Sequence, residues 1–433
     1  MNKPSWMSWG KPLASAQKLA DGLRAKERKQ VLEQATHLAD SKRTEESLAL
    51  LQAYFDRHGD AVVGRRLAVQ LLKAGQFKAL TDRPGLQALS SREFSLAAHL
   101  AGMDLEDVSP VLTQGLPPRP DLAYVGMVKN EEDIILFNLV WHYALGVRRF
   151  FLMDNGSTDQ TGPLVCLFEQ RFADAVVYRL HDPVVAYLQG QKMTAACAFV
   201  EQIWPDVAWL LLVDADEFLC LHRPWDEVLA DAGPAQALVM PKSVYGLTEG
   251  DDALESAHFS ERLLSRKLPF QVSNKVLVRA GRGGLAVGAG NHRLVESAAD
   301  APPVAYASPR GLTMREYPVR SEAQFLGKIV NGGRALEAAA QLGAAPIGTH
   351  WSAWYKQVCQ RGVAGLRSVM RTHLEQHAAA ALLRDPLPVT AVMDHLMPDW
   401  RETLDPLLAQ RRRAHQALID AGLSPEALLA PRA

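Results

Sequence analysis

The chain has few cysteines, no excess of basic residues and no long apolar run, and each shortage excludes a class of protein. The four cysteines among 433 residues form no CxxC pair, so neither a zinc knuckle nor a disulfide framework is indicated. Lys and Arg total 47 against 48 Asp and Glu, which lacks the basic excess of a general nucleic-acid binder. No segment approaches the ~18 apolar residues of a membrane span, and residues 1–6 lack a signal-peptide core. We therefore expect a cytoplasmic protein without a transmembrane segment.

The composition that remains is that of a globular protein, with 48% hydrophobic and 22% charged residues, in a chain long enough to form several domains. We predict a helical N-terminal region at 1–116, an α/β catalytic domain at 120–335 and a helical C-terminal region at 336–433. The first boundary is placed at the run PPRP, residues 117–120. Three prolines in four positions cannot continue a helix and favour an extended chain.

The N-terminal region carries apolar residues at helical spacing, with breaks near residues 40, 58 and 75. This pattern predicts short antiparallel helix pairs. The pairs weakly resemble tetratricopeptide-type hairpins, although no clear period of about 34 residues is present. Two interpretations stay open: a module that binds a protein partner, or a helical cap on the catalytic domain.

The catalytic region alternates predicted strands and helices. The strands are expected at 122–128, 149–153, 175–180 and 209–213, and the helices between them at 131–145, 162–172 and 188–203. Such alternation predicts right-handed βαβ units and a doubly wound, mostly parallel sheet. A further strand is expected at 237–245 and a hairpin at 274–280, and from residue 322 the chain is expected to be helical.

Polar residues gather directly after three of these strands. Asn130 and Glu131 follow the first strand, Asp154 opens the run DNGSTD after the second, and Asp214 and Asp216 follow the apolar run WLLLV. Because carboxyl ends of parallel strands share one edge of a sheet, these loops are expected on a common rim, where α/β sheets bind ligands. Clustered carboxylates there suit a hard divalent cation that holds phosphate.

The runs MVKNEEDIILFNLVWHYALGVRRFFLMDNGSTDQT and WLLLVDADEF resemble the glycosyltransferase family 2 group, and more closely its branch with the signatures NE, DNGSTD and DADEF. The later stretches SNKVLVRAG, GNHRL and REYPVRSEAQFLGK are similar to the same branch. The resemblance covers roughly residues 120–335. It implies a GT-A fold, which is Rossmann-like, together with a nucleotide-diphospho-sugar donor and a bound Mn²⁺ or Mg²⁺.

The resemblance also implies roles for single residues. Asp214 and Asp216 fall on the DxD motif, where Asp216 would ligate the metal that bridges the donor's diphosphate. Asp214 would lie near the ribose or a metal-bound water. Asp154 falls on the acidic residue that meets the nucleoside base, and Asn130 and Glu131 would line the nucleotide pocket.

Four further side chains are candidates for the same site. Gln191 fits the branch's pattern, without an assigned role. His292 could complete the metal coordination because imidazole is acceptable to Mn²⁺; the alternative is an ordinary surface or hydrogen-bonding histidine. Lys275 and Arg320 could pair with donor phosphates, and the alternative for both is an ordinary surface salt bridge.

An inverting hexosyltransferase needs a general base that takes the proton of the acceptor hydroxyl. The candidates are Glu249, Asp251 and Glu217, while Asp252 is better explained as part of a solvated acidic turn. The resemblance does not assign the base, so the inverting mechanism is an expectation that depends on finding one.

These observations predict a metal-dependent glycosyltransferase of polysaccharide or glycoconjugate synthesis. The acceptor can be a glycan, a lipid-linked sugar or a protein; a peripheral membrane contact and a protein partner on the N-terminal helices also stay open. One alternative is a non-catalytic helical scaffold that keeps a sugar-nucleotide-binding domain. The other is a DxD phosphotransferase with Asp214 as covalent nucleophile, which is disfavoured because that class carries its motif on the first strand.

Overall fold

The computed structural model describes residues 11–103, 110–114, 116–248, 251–268, 271–281, 285–296, 303–343, 349–378 and 381–423. The chain divides into two compact units, Met1–Ala101 and Gly102–Ala433. The predicted three-part division of the chain stays a prediction. Among the described residues, no helix combines the length and the apolar character that crossing a bilayer requires.

The first unit is helical in its described part. Gly59 ends the second helix in a left-handed conformation, with φ +61°. The carboxylate of Asp60 then caps the third helix by accepting the backbone N–H groups of Val62 and Val63. These contacts explain the break predicted near residue 58. The helices are α1 (Lys11–Asp40), α2 (Thr44–His58), α3 (Ala61–Lys73), α4 (Phe77–Thr81), α5 (Pro84–Gln87) and α6 (Ser91–Ala101).

The second unit begins with the predicted alternation of strands and helices. Its elements are β1 (Arg119–Val128), α7 (Ile135–Ala144), β2 (Val147–Asp154), α8 (Thr161–Arg171), β3 (Val176–His181), α9 (Gln189–Ile203) and β4 (Trp209–Val213). Strand β4 has the predicted bounds. Helix α7 starts four residues later than predicted, and the N–H groups of Glu131 and Glu132 before it donate to the side chains of Thr161 and Asp159.

The chain continues through shorter elements and then through mostly helical ones. The first group is β5 (Glu217–Leu221), α10 (Trp225–Ala230), β6 (Ala237–Val244), α11 (Phe259–Arg262), β7 (Ser265–Leu268), β8 (Gln271–Arg279), β9 (Leu285–Val287), a 3₁₀ turn (Ala289–Asn291), β10 (Leu294–Glu296), β11 (Tyr306–Ala307) and β12 (Leu312–Glu316). The second group is α12 (Glu322–Gln341), α13 (Thr349–Ala378), β13 (Ala381–Arg384), α14 (Val389–Leu396) and α15 (Trp400–Asp420). The hairpin expected at 274–280 is instead part of the single strand β8, and β13 interrupts the predicted helices by pairing with β7.

One sheet organises the second unit. Its strand order is β3-β2-β1-β4-β8-β6-β12-β5, with β11 beside β6. Five of the pairings are parallel and three are antiparallel. The predicted fold class, α/β with a mostly parallel sheet and helical regions at both ends, is confirmed.

This sheet is curled, and the chain between β4 and β5 shows why. Four strand spacings separate these two strands in the sheet order, which is about 19 Å across a flat sheet. The chain from Val213 to Glu217 spans at most about 14 Å. The far end of the sheet therefore returns towards β4 and lies on α7, where Asn138 donates to the carbonyl of Glu217 (2.6 Å) and Trp141 to that of Leu219 (2.7 Å).

His142 lies fully buried between α7 and β5. Its Nδ1–H donates to the carbonyl of Asn138 at 2.8 Å, and its Nε2 accepts the backbone N–H of Leu219 at 3.4 Å. One donor and one acceptor describe a neutral imidazole. Burial lowers the pKa of His142 to about 4, against the raising effect of the Asn138 carbonyl.

We expect the burial of His142 to reduce stability in mild acid. Below the ordinary pKa of 6.5 this imidazole is protonated in the unfolded chain but stays neutral in the native chain. Stability is therefore lost as the pH falls from 6.5 towards 4. Between about pH 7 and about pH 5 this group accounts for about 2 kcal/mol of the loss. Urea unfolding at both pH values measures it. We expect His142→Gln to weaken the dependence of the unfolding free energy on pH. The control His181→Gln, at an exposed position, should leave that dependence unchanged. Equal losses of unfolding free energy between about pH 7 and about pH 5 in the two variants would contradict the assignment.

Candidate functional site

The first two rim loops hold each other in place through hydrogen bonds. The N–H of Asn130 donates to Ser157 Oγ (3.0 Å), and its Oδ1 accepts the N–H of Thr158 (2.8 Å). The N–H of Glu131 donates to Thr161 Oγ1 (2.8 Å). Asn130 adopts φ +55°, a left-handed conformation that asparagine tolerates better than most residues. Much of the NE and DNGSTD sequence therefore fixes the backbone of the rim.

Asp154 shapes the second loop from within. Its Oδ1 accepts the N–H of Ser157 at 2.8 Å, which closes a turn of the kind that Asp and Asn favour. Gly156 follows at φ +70°, where a Cβ would be strained. Lys129 Nζ donates to the carbonyl of Asn155 at 2.6 Å and ties this turn to the end of β1. Asp154 is thereby held, partly exposed, at the carboxyl end of β2.

Asp214, directly after β4, is surrounded by donors. Its Oδ2 accepts from Lys275 Nζ at 2.6 Å. Its Oδ1 lies 3.4 Å from both Gln189 Nε2 and Asn291 Nδ2. Its own N–H donates to Glu217 Oε2 at 3.0 Å, which closes the DxD turn. The carboxylate is therefore fixed in orientation from three separate segments of the chain.

Glu217 is buried beneath this turn. Its carboxylate lies 3.1 Å from Lys275 Nζ and 3.8 Å from Lys242 Nζ, and Lys242 also pairs with Glu316 at 2.8 Å. Burial raises the pKa of Glu217 to about 8, with the charge of Lys275 acting against it. Burial would lower the pKa of Lys275, but the carboxylate of Asp214 outweighs burial and raises it. Glu217 and Lys275 together support the turn from below.

Asp216 is paired with two basic side chains. Lys328 Nζ contacts its Oδ2, and Arg320 Nη1 lies 3.9 Å from the same oxygen. Only 6% of the Asp216 side chain is exposed, and 26% of that of Lys328. Burial would raise the pKa of Asp216, but the charges of Lys328 and Arg320 outweigh burial and hold it below its ordinary value.

Arg320 connects this turn to the first rim loop. Its guanidinium is fully buried and donates twice to Asp133, at 2.6 and 2.8 Å, and once to Glu131, at 2.7 Å. Burial would raise the pKa of Asp133, but Arg320 lowers it to about 2. For Glu131 burial prevails over Arg320 and raises the pKa to about 7. Arg320 thus forms buried salt bridges with protein carboxylates, not surface ones. A role of Arg320 in binding donor phosphates stays a prediction.

These ion pairs form two clusters at the DxD turn. In one cluster Lys242 and Lys275 pair with Asp214, Glu217 and Glu316. In the other, Arg320 and Lys328 pair with Glu131, Asp133 and Asp216. In the described ranges, no three His, Cys, Asp or Glu side chains are grouped so that they could hold a metal ion by themselves. Mg²⁺ and similar ions usually need only one or two carboxylates when substrate phosphates complete the shell. Asp214 and Asp216 fit that arrangement.

Comparison with known proteins identifies no family and finds distant similarity to a number of solved structures. No family model matches the chain, and no curated protein matches it. Among solved structures, it is similar to the mannosyltransferase PcManGT from Pyrobaculum calidifontis in complex with GDP-Man and Mn²⁺, with TM-score 0.27, 14% identity, and coverage of 79% of this chain and 98% of that one. The chain is also similar to GalNAc-T7 with UDP, GalNAc and Mn²⁺, with TM-score 0.30, 10% identity, and coverage of 71% of this chain and 63% of that one.

A third structure is a putative glucose-1-phosphate thymidylyltransferase from Bacillus anthracis in complex with a sucrose. Its TM-score is 0.22 and its identity 12%, covering 61% of this chain and 96% of that one. All three scores are low, so function has to be argued from the residues of the site.

The structure brings some predicted residues to the DxD turn and places others apart. Gln191 has an exposed side chain on α9, whereas Gln189 reaches Asp214. Gly190 between them allows α9 to approach β9, since a Cβ there would lie 2.8 Å from the carbonyl of Val287. A role of Gln191 in donor binding stays a prediction.

His292 lies beside β8 rather than in a metal-binding group. Its Nδ1 donates to the carbonyl of Asn274 at 2.6 Å, and its own carbonyl accepts from the side-chain amide of Asn274 at 2.8 Å. Burial, followed by the charge of Lys275, lowers the pKa of His292 to about 4. The ring is therefore neutral, as a metal ligand must be, and its role as a ligand stays a prediction.

Of the candidate bases, Asp251 lies in the turn after β6 and Glu217 opens β5. Glu249 falls outside the described residues. Asp251 Oδ2 accepts the N–H of Thr248 at 2.7 Å and its hydroxyl at 2.8 Å, which closes this turn. Asp252 accepts backbone N–H groups further along, as expected for a solvated acidic turn. The assignment of a base to Glu249, Asp251 or Glu217 stays a prediction.

Sequence reasoning missed several members of the site. Lys328, Lys242, Asp133, Gln189 and Asn291 all contact the DxD turn or its partners. A signal existed for two of them. Lys242 is the single charged residue of the buried strand β6, and Lys328 belongs to the stretch REYPVRSEAQFLGK.

Proposed function

We propose that the chain is a metal-dependent glycosyltransferase that transfers a hexosyl group from a nucleotide-diphospho-sugar to an acceptor hydroxyl. The observation that carries this proposal is the DxD turn at the carboxyl end of β4, where both carboxylates of the motif are held in place by basic side chains. A divalent cation whose shell is completed by substrate phosphates needs only one or two carboxylates from the protein. The GT-A fold and the membership of the family 2 group are part of the same proposal.

In this proposal the motif residues hold the metal and the donor. Asp216 and Asp214 would hold Mn²⁺ or Mg²⁺, with His292 as a further candidate. A cation held there would supply positive charge for the leaving diphosphate, without the need for a proton donor. Lys275 keeps Asp214 in orientation, and Glu217 keeps the turn closed.

The nucleotide is assigned to the two interlocked loops. Asp154 is the proposed partner of the base, and Asn130 and Glu131 line the pocket beside it. Their mutual hydrogen bonds hold these groups rigid before the donor arrives, which reduces the ordering cost of binding. Gln191 is kept as a proposed donor contact at the start of α9.

The inverting mechanism rests on a carboxylate beside the acceptor. We assign this role to Asp251, in the turn that follows β6, or to Glu249, because Glu217 has no exposed surface from which to reach an acceptor. The acceptor is a glycan, a lipid-linked sugar or a protein. We place the enzyme in the cytoplasm, since none of its cysteines forms a disulfide.

We expect nucleotide sugars to raise the melting temperature only when Mn²⁺ is present. A ligand at 100 times its Kd stabilises the native state by about 2.7 kcal/mol. A thermal-shift panel of nucleotide sugars, each measured with Mn²⁺ and with EDTA, tests this. Sugar 1-phosphates, which lack the nucleoside diphosphate, serve as the control. Equal shifts with Mn²⁺ and with EDTA, or no shift across the panel, would contradict the proposal.

A second measurement separates the enzyme from a non-catalytic scaffold. The donor that gives the largest shift is incubated with a panel of acceptors, and the release of nucleoside diphosphate is followed. Release that depends on the acceptor supports transfer. Binding without release from any acceptor would favour the scaffold.

A further inference from the structure

Lys328 occupies the carboxylate oxygen that the proposed metal needs. Its ammonium group contacts Asp216 Oδ2, and it also lies 3.3 Å from the carbonyl of Pro318. A divalent cation bound to Asp216 would meet this positive charge at contact distance. Because like charges repel strongly in a buried site, the cation and the ammonium cannot share that oxygen.

Lys328 is also the basic group best able to leave. Its side chain is 26% exposed, compared with 7% for Lys242, 1% for Lys275 and 0% for Arg320. The other three are enclosed and held by further carboxylates or carbonyls. A lysine on a flexible four-carbon stem can turn towards solvent without losing its hydration or its proton.

We propose that Lys328 is a built-in counter-ion, which a divalent cation displaces from Asp216 and which then binds the diphosphate of the donor. This inference rests on the proposed function. The exchange balances in charge: Asp216 exchanges the ammonium for the cation, Lys328 keeps its proton, and the diphosphate supplies new negative charge. Metal and nucleoside diphosphate should therefore bind cooperatively, the metal weakly when alone and tightly when both are present.

The test is a Mn²⁺ titration of the full chain, in which electron paramagnetic resonance reports free Mn²⁺, with and without GDP or UDP. In the wild type we expect weak Mn²⁺ binding that tightens when the nucleotide is added. In Lys328→Met we expect Mn²⁺ alone to bind at least about tenfold more tightly, and the tightening by nucleotide to fall by a similar factor. Lys328→Arg keeps the charge, so Mn²⁺ alone should bind as in the wild type.

Lys267→Met is the matched control, because Lys267 is a partly buried lysine on β7. It should bind Mn²⁺ and nucleotide as the wild type does. Unchanged Mn²⁺ affinity in Lys328→Met overturns the inference and leaves the proposed function standing. Should that variant fail to fold, Lys328→Gln takes its place with the same expected values. Absence of both Mn²⁺ and nucleotide binding from the wild type and every variant overturns the proposed function itself.

Discussion

Replacing Asp216 with Asn lowers Mn²⁺-dependent release of nucleoside diphosphate by on the order of 10³-fold. An amide is a much weaker ligand for a hard cation than a carboxylate, so the leaving diphosphate loses its neutralising partner. The substitution is nearly isosteric and lies at a buried position, so its effect comes from charge. The rate is measured at a series of Mn²⁺ concentrations with the donor selected by thermal shift.

Two controls separate this loss from unfolding. Asp206→Asn removes an exposed carboxylate that pairs with Arg149, and it should leave turnover unchanged. Asp216→Asn combined with Lys328→Met removes one charge of each sign, so it should regain stability without regaining turnover. Metal-dependent turnover within a few fold of the wild type in Asp216→Asn would show that this residue does not hold the metal.

Replacing Arg320 with Met destabilises the second unit by about 3–5 kcal/mol. Arg320 is fully buried and neutralises Asp133 and Glu131, which become uncompensated buried carboxylates without it. The free energy of unfolding in urea measures the loss. Turnover should fall as well, because the guanidinium also lies 3.9 Å from Asp216.

The matched control is Arg149→Met, which removes a bidentate but exposed ion pair with Asp206 and should cost at most about 1 kcal/mol. Adding Asp133→Asn to Arg320→Met removes one of the two carboxylates that have lost their pairing with Arg320. The second substitution should therefore recover part of the lost unfolding free energy. Because contacting residues are not additive, the double variant should be more stable than the sum of the two single effects predicts. Simple additivity would contradict the assigned pairing.

The parts of the fold that follow from local pattern could be predicted from sequence. Strand β4 has its predicted bounds because the run WLLLV is uniformly apolar and ends in charge. The first three strands and their helices agree to within a few residues for the same reason. The convergence of three loops followed from the rule that parallel strands share a carboxyl edge.

The remainder depends on contacts between distant segments. Lys328 meets Asp216 across 112 positions, and Lys275 meets Asp214 across 61. No period or spacing in the sequence encodes such pairs, so the contact of Lys328 with Asp216 and the curl of the sheet had no local signal. Strand β13 is four residues long and owes its conformation to its partner β7.

The pairing of β5 with β12 has a kinetic consequence for the motif. Glu217, at the end of the DxD turn, opens β5, whose ladder partner ends at Glu316. Bringing β5 and β12 together costs chain-closure entropy before their pairing adds any stability. We therefore expect this edge of the sheet to form late. During synthesis, β1 to β4 are complete long before β12 has been translated. The turn that defines the proposed activity would thus be among the last parts of the domain to mature, after the two interlocked loops that follow β1 and β2 have already assembled.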